Sequence, residues 1–329
     1  MNGKVMKITI RVILTVTILS FLIFTLSTFT QSDKSKMNIM FIAKSSQSNF
    51  WKTAFQGARA AGNEYNVNVI IQAPETEEDY GKQNEMLQWA IDNSVDAVVF
   101  SACDFDKSVK AAERVIDAGI PVISIDSPIN SSKELMMIGT DNILAGVQAG
   151  EKLAELTDYK GKVGIINFEE GSANGMQRER GCLDAILKYP NMEVVDIRYT
   201  LSNIENPKLN TIDMLKENPE INAIATFNEW TTLGVGEALK EMDIDKDKIA
   251  VIGFDNNLKS IEQLERGIFD GLIVQNPFAM GYIGIQQAIE YKKNKQHEDF
   301  IDTGTKVITA ENMYNIENQK LLFPFSNIK

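Results

Sequence analysis

From residue 37 onward, short runs of apolar and β-branched residues alternate with longer stretches of helical period, and the whole rhythm occurs twice. In the first round the pattern predicts strands at 38–43, 67–71, 97–101, 122–125 and 135–138, with helices at 50–64, 80–91 and 108–118. In the second it predicts strands at 163–166, 194–199, 223–226, 249–252 and 271–274, with helices at 175–187, 209–216, 231–242, 258–266 and 278–292. The strands are continuously apolar rather than alternating, so both of their faces are buried. That is the signature of a parallel sheet covered by helices on each side. Two rounds predict an α/β chain of two doubly wound parallel-sheet lobes joined by a hinge. In open parallel sheets a ligand sits beyond the carboxyl ends of the strands, so the residues that follow each strand carry the information about function.

Those residues form a chemically coherent set. The first strand runs into Lys44-Ser-Ser-Gln-Ser-Asn-Phe-Trp51, the third into Ser101-Ala-Cys-Asp-Phe105, and the fourth into Asp126-Ser-Pro. In the second round come Gln177-Arg-Glu-Arg-Gly181, Asn228-Glu-Trp230, Asp255-Asn-Asn257 and Gln275-Asn-Pro-Phe278. Carboxylates and amides grip adjacent hydroxyls with paired oxygens and nitrogens. Flat rings pack on the C–H face of a sugar. The set suits a neutral polyol better than a charged or greasy ligand. The candidate ligand contacts are Phe50, Trp51, Asp126, Arg180, Asn228, Asp255 and Gln275, with Ser48, Asn49, Ser101, Phe105 and Trp230 as further candidates. Each has a plainer reading. Phe50 and Trp51 could be core, Asp126 could cap a turn, Asn228 and Asp255 could cap helices, and Arg180 could pair with Glu179 or Glu169 on the surface.

Composition excludes several alternatives. The net charge is −12, without the clustered Lys and Arg that nucleic-acid phosphates require. One histidine, His297, and two cysteines, Cys103 and Cys182, cannot build a zinc site or a disulfide scaffold. Both cysteines are expected as free, buried thiols. The stretch 243–247 resembles the start of a calcium loop, but Lys248 and Phe254 stand where glycine and glutamate are needed. Gly234-Val-Gly236 lies inside a predicted helix, outside the strand–turn–helix context of a phosphate loop. No nucleophile–base pair appears, so neither enzymatic activity nor a cofactor is expected.

The N-terminus carries Lys4, Lys7 and Arg11 before an uncharged run at 12–29. About 20 apolar residues span a bilayer as a helix. Positive charge ahead of the run places the N-terminus inside and the bulk of the chain outside the cytoplasm. The run is longer than a signal-peptide core, and no small-residue cleavage site follows it. The expectation is a single-pass membrane anchor, with a cleaved signal peptide as the alternative and 31–36 as a polar linker. No cysteine lies near its exit for lipid attachment.

Several stretches together resemble the type I periplasmic sugar-binding proteins, the family of ribose- and galactose-binding proteins. They are Asn49-Phe-Trp51, Gly119-Ile-Pro-Val-Ile-Ser-Ile-Asp126, Gly139-Thr-Asp-Asn142, Arg178-Glu-Arg-Gly181, Asn228-Glu, Gly253-Phe-Asp255 and Gln275, in family order over nearly all of 37–329. The resemblance implies two lobes joined by three crossovers, closing on a monosaccharide. Residues 1–36 would then be cytoplasmic stub, anchor and linker. Residues 37–140 plus 276–303 would form the N-terminal lobe, and 141–275 plus 304–329 the C-terminal lobe. Three departures stand out: Ser127 replaces the arginine that follows the aspartate in ribose binders, and Ser101 and Ser48 replace asparagines. Fewer donors on the N-terminal lobe imply a sugar other than ribose or another orientation, with a xylose-like pentose the first expectation. Sugar-responsive repressors share the core but carry a DNA-binding motif where this chain has its apolar run. The anchor resembles that of xylose-sensing binding proteins paired with a membrane histidine kinase, which makes a sensory receptor the leading expectation. The substrate-binding subunit of an ABC sugar transporter, delivering to its permease, is the alternative.

Overall fold

The strands form where the apolar runs predict them, and burial explains why. All positions of β3 (Ala97–Phe100), β4 (Val122–Ile125) and β8 (Ala223–Thr226) are buried, so no face is left for alternating polar residues. The computed structural model describes residues 36–133, 136–245, 247–293 and 297–324, together with Thr17 and Ser20. Most of the apolar run at 12–29, and with it the expected anchor, lies outside the described residues. Among the described residues no helix is long and apolar enough to cross a membrane.

The N-terminal lobe adds β1 (Asn38–Ile42), β2 (Asn68–Gln72), β5 (Met137–Gly139) and β11 (Phe300–Asp302) to β3 and β4. The sheet order is β11-β5-β4-β3-β1-β2, with every pairing parallel. Its helices are α1 (Asn49–Tyr65), α2 (Tyr80–Asp92) and α3 (Val109–Asp117). The C-terminal lobe contains α4 (Asn142–Leu156), β6 (Lys162–Asn167), α5 (Ala173–Ile186), β7 (Glu193–Tyr199), α6 (Glu205–Glu217), β8, α7 (Glu229–Glu241), β9 (Ala250–Phe254), α8 (Leu258–Glu265) and β10 (Gly271–Gln275). The chain then returns through α9 (Pro277–Lys292), which packs on α1, to β11, and passes back through β12 (Thr305–Ile308) to α10 (Ile316–Leu322). The second sheet runs β12-β10-β9-β8-β6-β7, and only its β12–β10 pairing is antiparallel. The chain therefore passes between the sheets three times, after β5, after β10 and after β11.

In each sheet the strand order reverses at the first strand of the lobe, β1 or β6. That is the switch point where a crevice opens at the strand ends.

Four elements escape the sequence pattern: α4, β11, β12 and the short α10. Helix α4 is rich in alanine and glycine, and its closeness to α5 depends on that. A Cβ on Gly146 would meet Arg178 O at 2.0 Å, and one on Gly181 would meet Ile143 O at 2.1 Å. Strands β11 and β12 are only three and four residues long. The expected strand at 135–138 is observed as β5, Met137–Gly139. Cys103 and Cys182 are buried and unpaired, and burial pushes the Cys182 thiol up to about 12.

Candidate functional site

The two lobes repeat one device. Asp126 directly follows β4, and Asp255 directly follows β9. Both have left-handed backbone, with φ of 58° and 69°. Each donates its N–H to the next strand, Asp126 to Ile138 O at 2.9 Å and Asp255 to Ile273 O at 3.0 Å. The sharp turn aims both carboxyls into one crevice between the lobes. Aspartate tolerates this conformation better than a bulky residue, yet the strain persists only where the surroundings enforce it.

The crevice is narrow and nearly filled by its own side chains, with about 20 Å³ of free volume. From the N-terminal lobe its wall takes Lys44, Ser48, Phe50, Trp51, Glu77 and Asp126. From the other lobe it takes Phe168, Asn174, Arg178, Asn228, Glu229, Trp230, Asp255 and Gln275. Phe50, Trp51, Asp126, Asn228, Asp255 and Gln275, six of the candidates from sequence, thus meet at one place, together with Ser48 and Trp230. The rings of Phe50 and Trp51 meet edge to face at 5.0 Å.

The arginine assignment is corrected. Arg180 lies outside the cavity with its side chain 70 % exposed, paired with Asp184 at 2.8 Å. Arg178, two residues earlier, is the buried one. Helical residues two apart point to opposite sides, about 200° around the axis, and the buried positions Asn174, Arg178, Cys182 and Ala185 define the inner face of α5. Three further candidates also lie off the wall. The side chain of Asn49 faces solvent. Ser101 is fully buried and reaches the cavity only through Asp126, donating to its Oδ2 at 3.3 Å. Phe105 belongs to the rim, where its N–H donates across the cleft to Gly171 O at 2.9 Å.

Arg178 organises the floor of the site. Its Nε donates to Asn142 Oδ1 at 2.8 Å, one terminal nitrogen to Phe227 O at 2.6 Å, and the other to Gln275 Oε1 at 2.7 Å. The guanidinium lies 4.7 Å from the centre of the Phe254 ring and 3.9 Å from Asp126. Burial lowers its pKa, opposed by Asp126, Asp255 and Glu77. Gln275 passes the network on, its Nε2 donating to Asp255 Oδ1 at 2.7 Å. Burial pushes Asp255 up to about 7, against the pull of Arg178 and Gln275. Asn228 does two jobs: its Oδ1 caps α7 at Thr231 N, 2.9 Å, while its Nδ2 is buried without a partner. Trp230 Nε1 is likewise buried and unpartnered.

Lys44 was missed because lysine is rarely buried. Here it is 1 % exposed, donates to Ser172 Oγ across the cleft at 2.7 Å, lies 3.7 Å from Glu77, and sits 5.1 Å from the Phe168 ring centre. Its place at the end of β1, at the switch point, was the available signal. Glu77 accepts from Trp51 Nε1 at 3.3 Å, and burial raises its pKa. Asn174 Nδ2 donates across the cleft to Asp126 Oδ2 at 3.0 Å. With Ser202 N–H donating to Glu78 at the opposite rim, the lobes are closed upon each other.

A larger space, about 420 Å³, lies elsewhere, walled by Thr53, Asn256, Phe278, Lys306, Leu321 and neighbours. Its charged residues, Lys306, Glu317 and Lys320, are exposed, and no buried charged group points to a ligand there, so size alone does not make it the site.

The periplasmic binding protein domain family matches residues 39–296. The chain belongs to the type I periplasmic sugar-binding protein family. Among its relatives, a D-ribose/D-allose-binding protein of Pseudomonas aeruginosa is 26% identical over 291 residues, 84% of this chain and 89% of that protein. The ribose import binding protein of Bacillus subtilis is 24% identical, covering 80% and 84%. A carbohydrate transporter solute binding protein from Agrobacterium radiobacter, solved with D-arabinose, superimposes with a TM-score of 0.85 at 31% identity, over 88% of this chain and all of that one. These family members are binding proteins and not enzymes. The family is extracytoplasmic.

Proposed function

We propose that the protein is an extracytoplasmic monosaccharide receptor that closes on one sugar and delivers it to an ATP-driven (ABC) permease. The observation that carries the binding role is the convergence of Asp126 and Asp255 with the unpartnered donors of Asn228 and Trp230 on one closed cavity. Buried polar atoms without partners are uncommon in native proteins, and sugar hydroxyls would satisfy donors and acceptors alike. Phe50 and Trp51 offer the apolar wall that a pyranose face needs. A pentose comes first, in line with the relatives that bind D-arabinose or ribose, and a hexose second, in line with those that bind D-allose.

Import is favoured over signalling to a membrane histidine kinase because several relatives are named for import. The sensory reading has one observation behind it. The uncharged run at 12–29 follows Lys4, Lys7 and Arg11, with no cysteine near its exit, which suits a retained single-pass anchor. Co-purification from detergent separates the two: a permease partner supports import, and a histidine kinase overturns it.

The binding role is tested by a thermal-shift screen of the full chain against D-xylose, D-ribose, D-arabinose, D-allose and D-galactose. A ligand at 100 times its Kd stabilises the native state by about 2.7 kcal/mol. A rise in Tm with at least one sugar is expected, and no rise with any at millimolar concentration would refute the proposal.

A further inference from the structure

Glu229 lines the cavity but spends its carboxylate elsewhere. It is 4 % exposed and opens α7 in the C-terminal lobe. Its Oε2 accepts from the Ser48 hydroxyl at 2.8 Å and from Phe50 N–H at 3.2 Å. Its Oε1 accepts from Asn49 N–H at 3.3 Å and from Asn257 Nδ2 at 2.7 Å. Ser48, Asn49 and Phe50 belong to the opposite lobe, about 180 residues away in sequence. The first N–H groups of a helix have no partner within it. In α1 those of Asn49 and Phe50 are met by Glu229, and that of Trp51 by Ser48 Oγ at 3.4 Å.

We propose that Glu229 is a positioning residue: it caps α1 from the opposite lobe, biases the lobes toward closure before sugar arrives, and fixes Phe50 and Trp51 at the cavity wall. This rests on the sugar-binding reading above. Four donors face the carboxylate, and the residue fits that inventory. A carboxylate only accepts, whereas glutamine would present an amide NH₂ to one pair of donors. The positive end of the α1 dipole adds an attraction that the neutral amide loses. When the lobes part, water takes over both sides of the contact. The latch therefore contributes a bias rather than a lock, and the sugar supplies the rest of the closing free energy.

The test uses the full chain in detergent with spin labels at Glu85→Cys and Glu217→Cys, positions on opposite lobes whose native side chains are 68% and 66% exposed. The native cysteines are buried. Without sugar, the wild type should show a substantial short-distance population. Glu229→Ala should shift it to longer distances, and Glu229→Gln should fall between. In parallel, amide hydrogen exchange at Asn49 and Phe50 should speed at least tenfold in Glu229→Ala. Unchanged distances and unchanged exchange would overturn the proposal. So would a loss of sugar affinity with sugar-free distances unchanged, since that marks a direct ligand contact. If Glu229→Ala does not fold, the Glu229→Gln shift decides the matter alone. Both readouts are made without sugar, so a failed sugar screen refutes the function and leaves the latch to stand or fall by itself.

Discussion

The two lobes present matched aspartates on matched turns, yet the two halves of the site are built differently. On the C-terminal side Asp255, Gln275, Arg178 and Asn142 form one continuous chain of hydrogen bonds inside a single lobe. On the N-terminal side Asp126 receives the Ser101 hydroxyl from its own lobe, while Asn174 and Arg178 reach it from the other. Lys44 likewise finds Ser172 across the cleft. The C-terminal half is preorganised, and the N-terminal half is completed by closure. The contrast explains how a chain with serines at 101 and 127 still presents a full polar wall: donors absent at those positions are supplied by Lys44 of the same lobe and by Asn174 and Arg178 of the facing lobe.

The comparison is broken most severely at Arg178. Arg178→Ala strips the shared cation from Asp126, Asp255 and Glu77, and loss of one partner from such a buried charge set costs about 3–5 kcal/mol. Chemical denaturation should show that loss, and sugar binding should vanish from calorimetry. A variant of near wild-type stability would mean that the network is not the organising element.

Next in size are the aspartates. Asp126→Ala or Asp255→Ala leaves sugar hydroxyls unmatched in a closed cavity, at about 1–3 kcal/mol of binding each. Asp126→Ala should show the larger effect, because it also removes the bond from Asn174 that closes the lobes. Equal losses in titration calorimetry would erase the distinction between the halves.

A third effect follows from protonation. The Asp255 carboxyl is raised to about 7 by burial, from an unfolded value near 3.8. The folded state therefore holds its proton more tightly. The associated stability is fully present below about pH 4 and is lost as pH rises toward and through 7. Glu77 acts in the same direction. Sugar-free denaturation midpoints should fall between pH 4 and 7, and Asp255→Asn should flatten part of that slope. A slope unchanged in the variant would assign the titration elsewhere. The smallest effect belongs to Arg180→Ala, which removes an exposed i,i+4 pair and should alter stability and affinity by less than about 0.5 kcal/mol; a tenfold loss of affinity would restore Arg180 to the site.

Much of this was legible in the sequence, and the misses have identifiable physical causes. Continuous apolar runs located the strands because burial on both faces leaves no other composition. The residues after those strands named most of the cavity wall because topology alone fixes where strand ends point. Arg178 and Arg180 were confused because the local motif shows two arginines, and only the phase of α5, set by packing of Cys182 and Ala185, separates them. Lys44 and Glu77 were hidden, and Glu229 was legible only as a weak ligand contact, because their roles arise from contacts across the cleft, between segments far apart in sequence. Helix α4 was hidden because its small residues serve helix packing and leave no strong periodic stripe.

The most direct test is a crystal structure of the protein with whichever sugar raises its melting temperature. The account predicts one monosaccharide ring between the lobes, its hydroxyls bonded to Asp126, Arg178 and Asp255 and one face against Phe50 or Trp51. A sugar seated instead in the larger space beside Phe278 and Leu321, with the crevice between the aspartates unchanged, would contradict it.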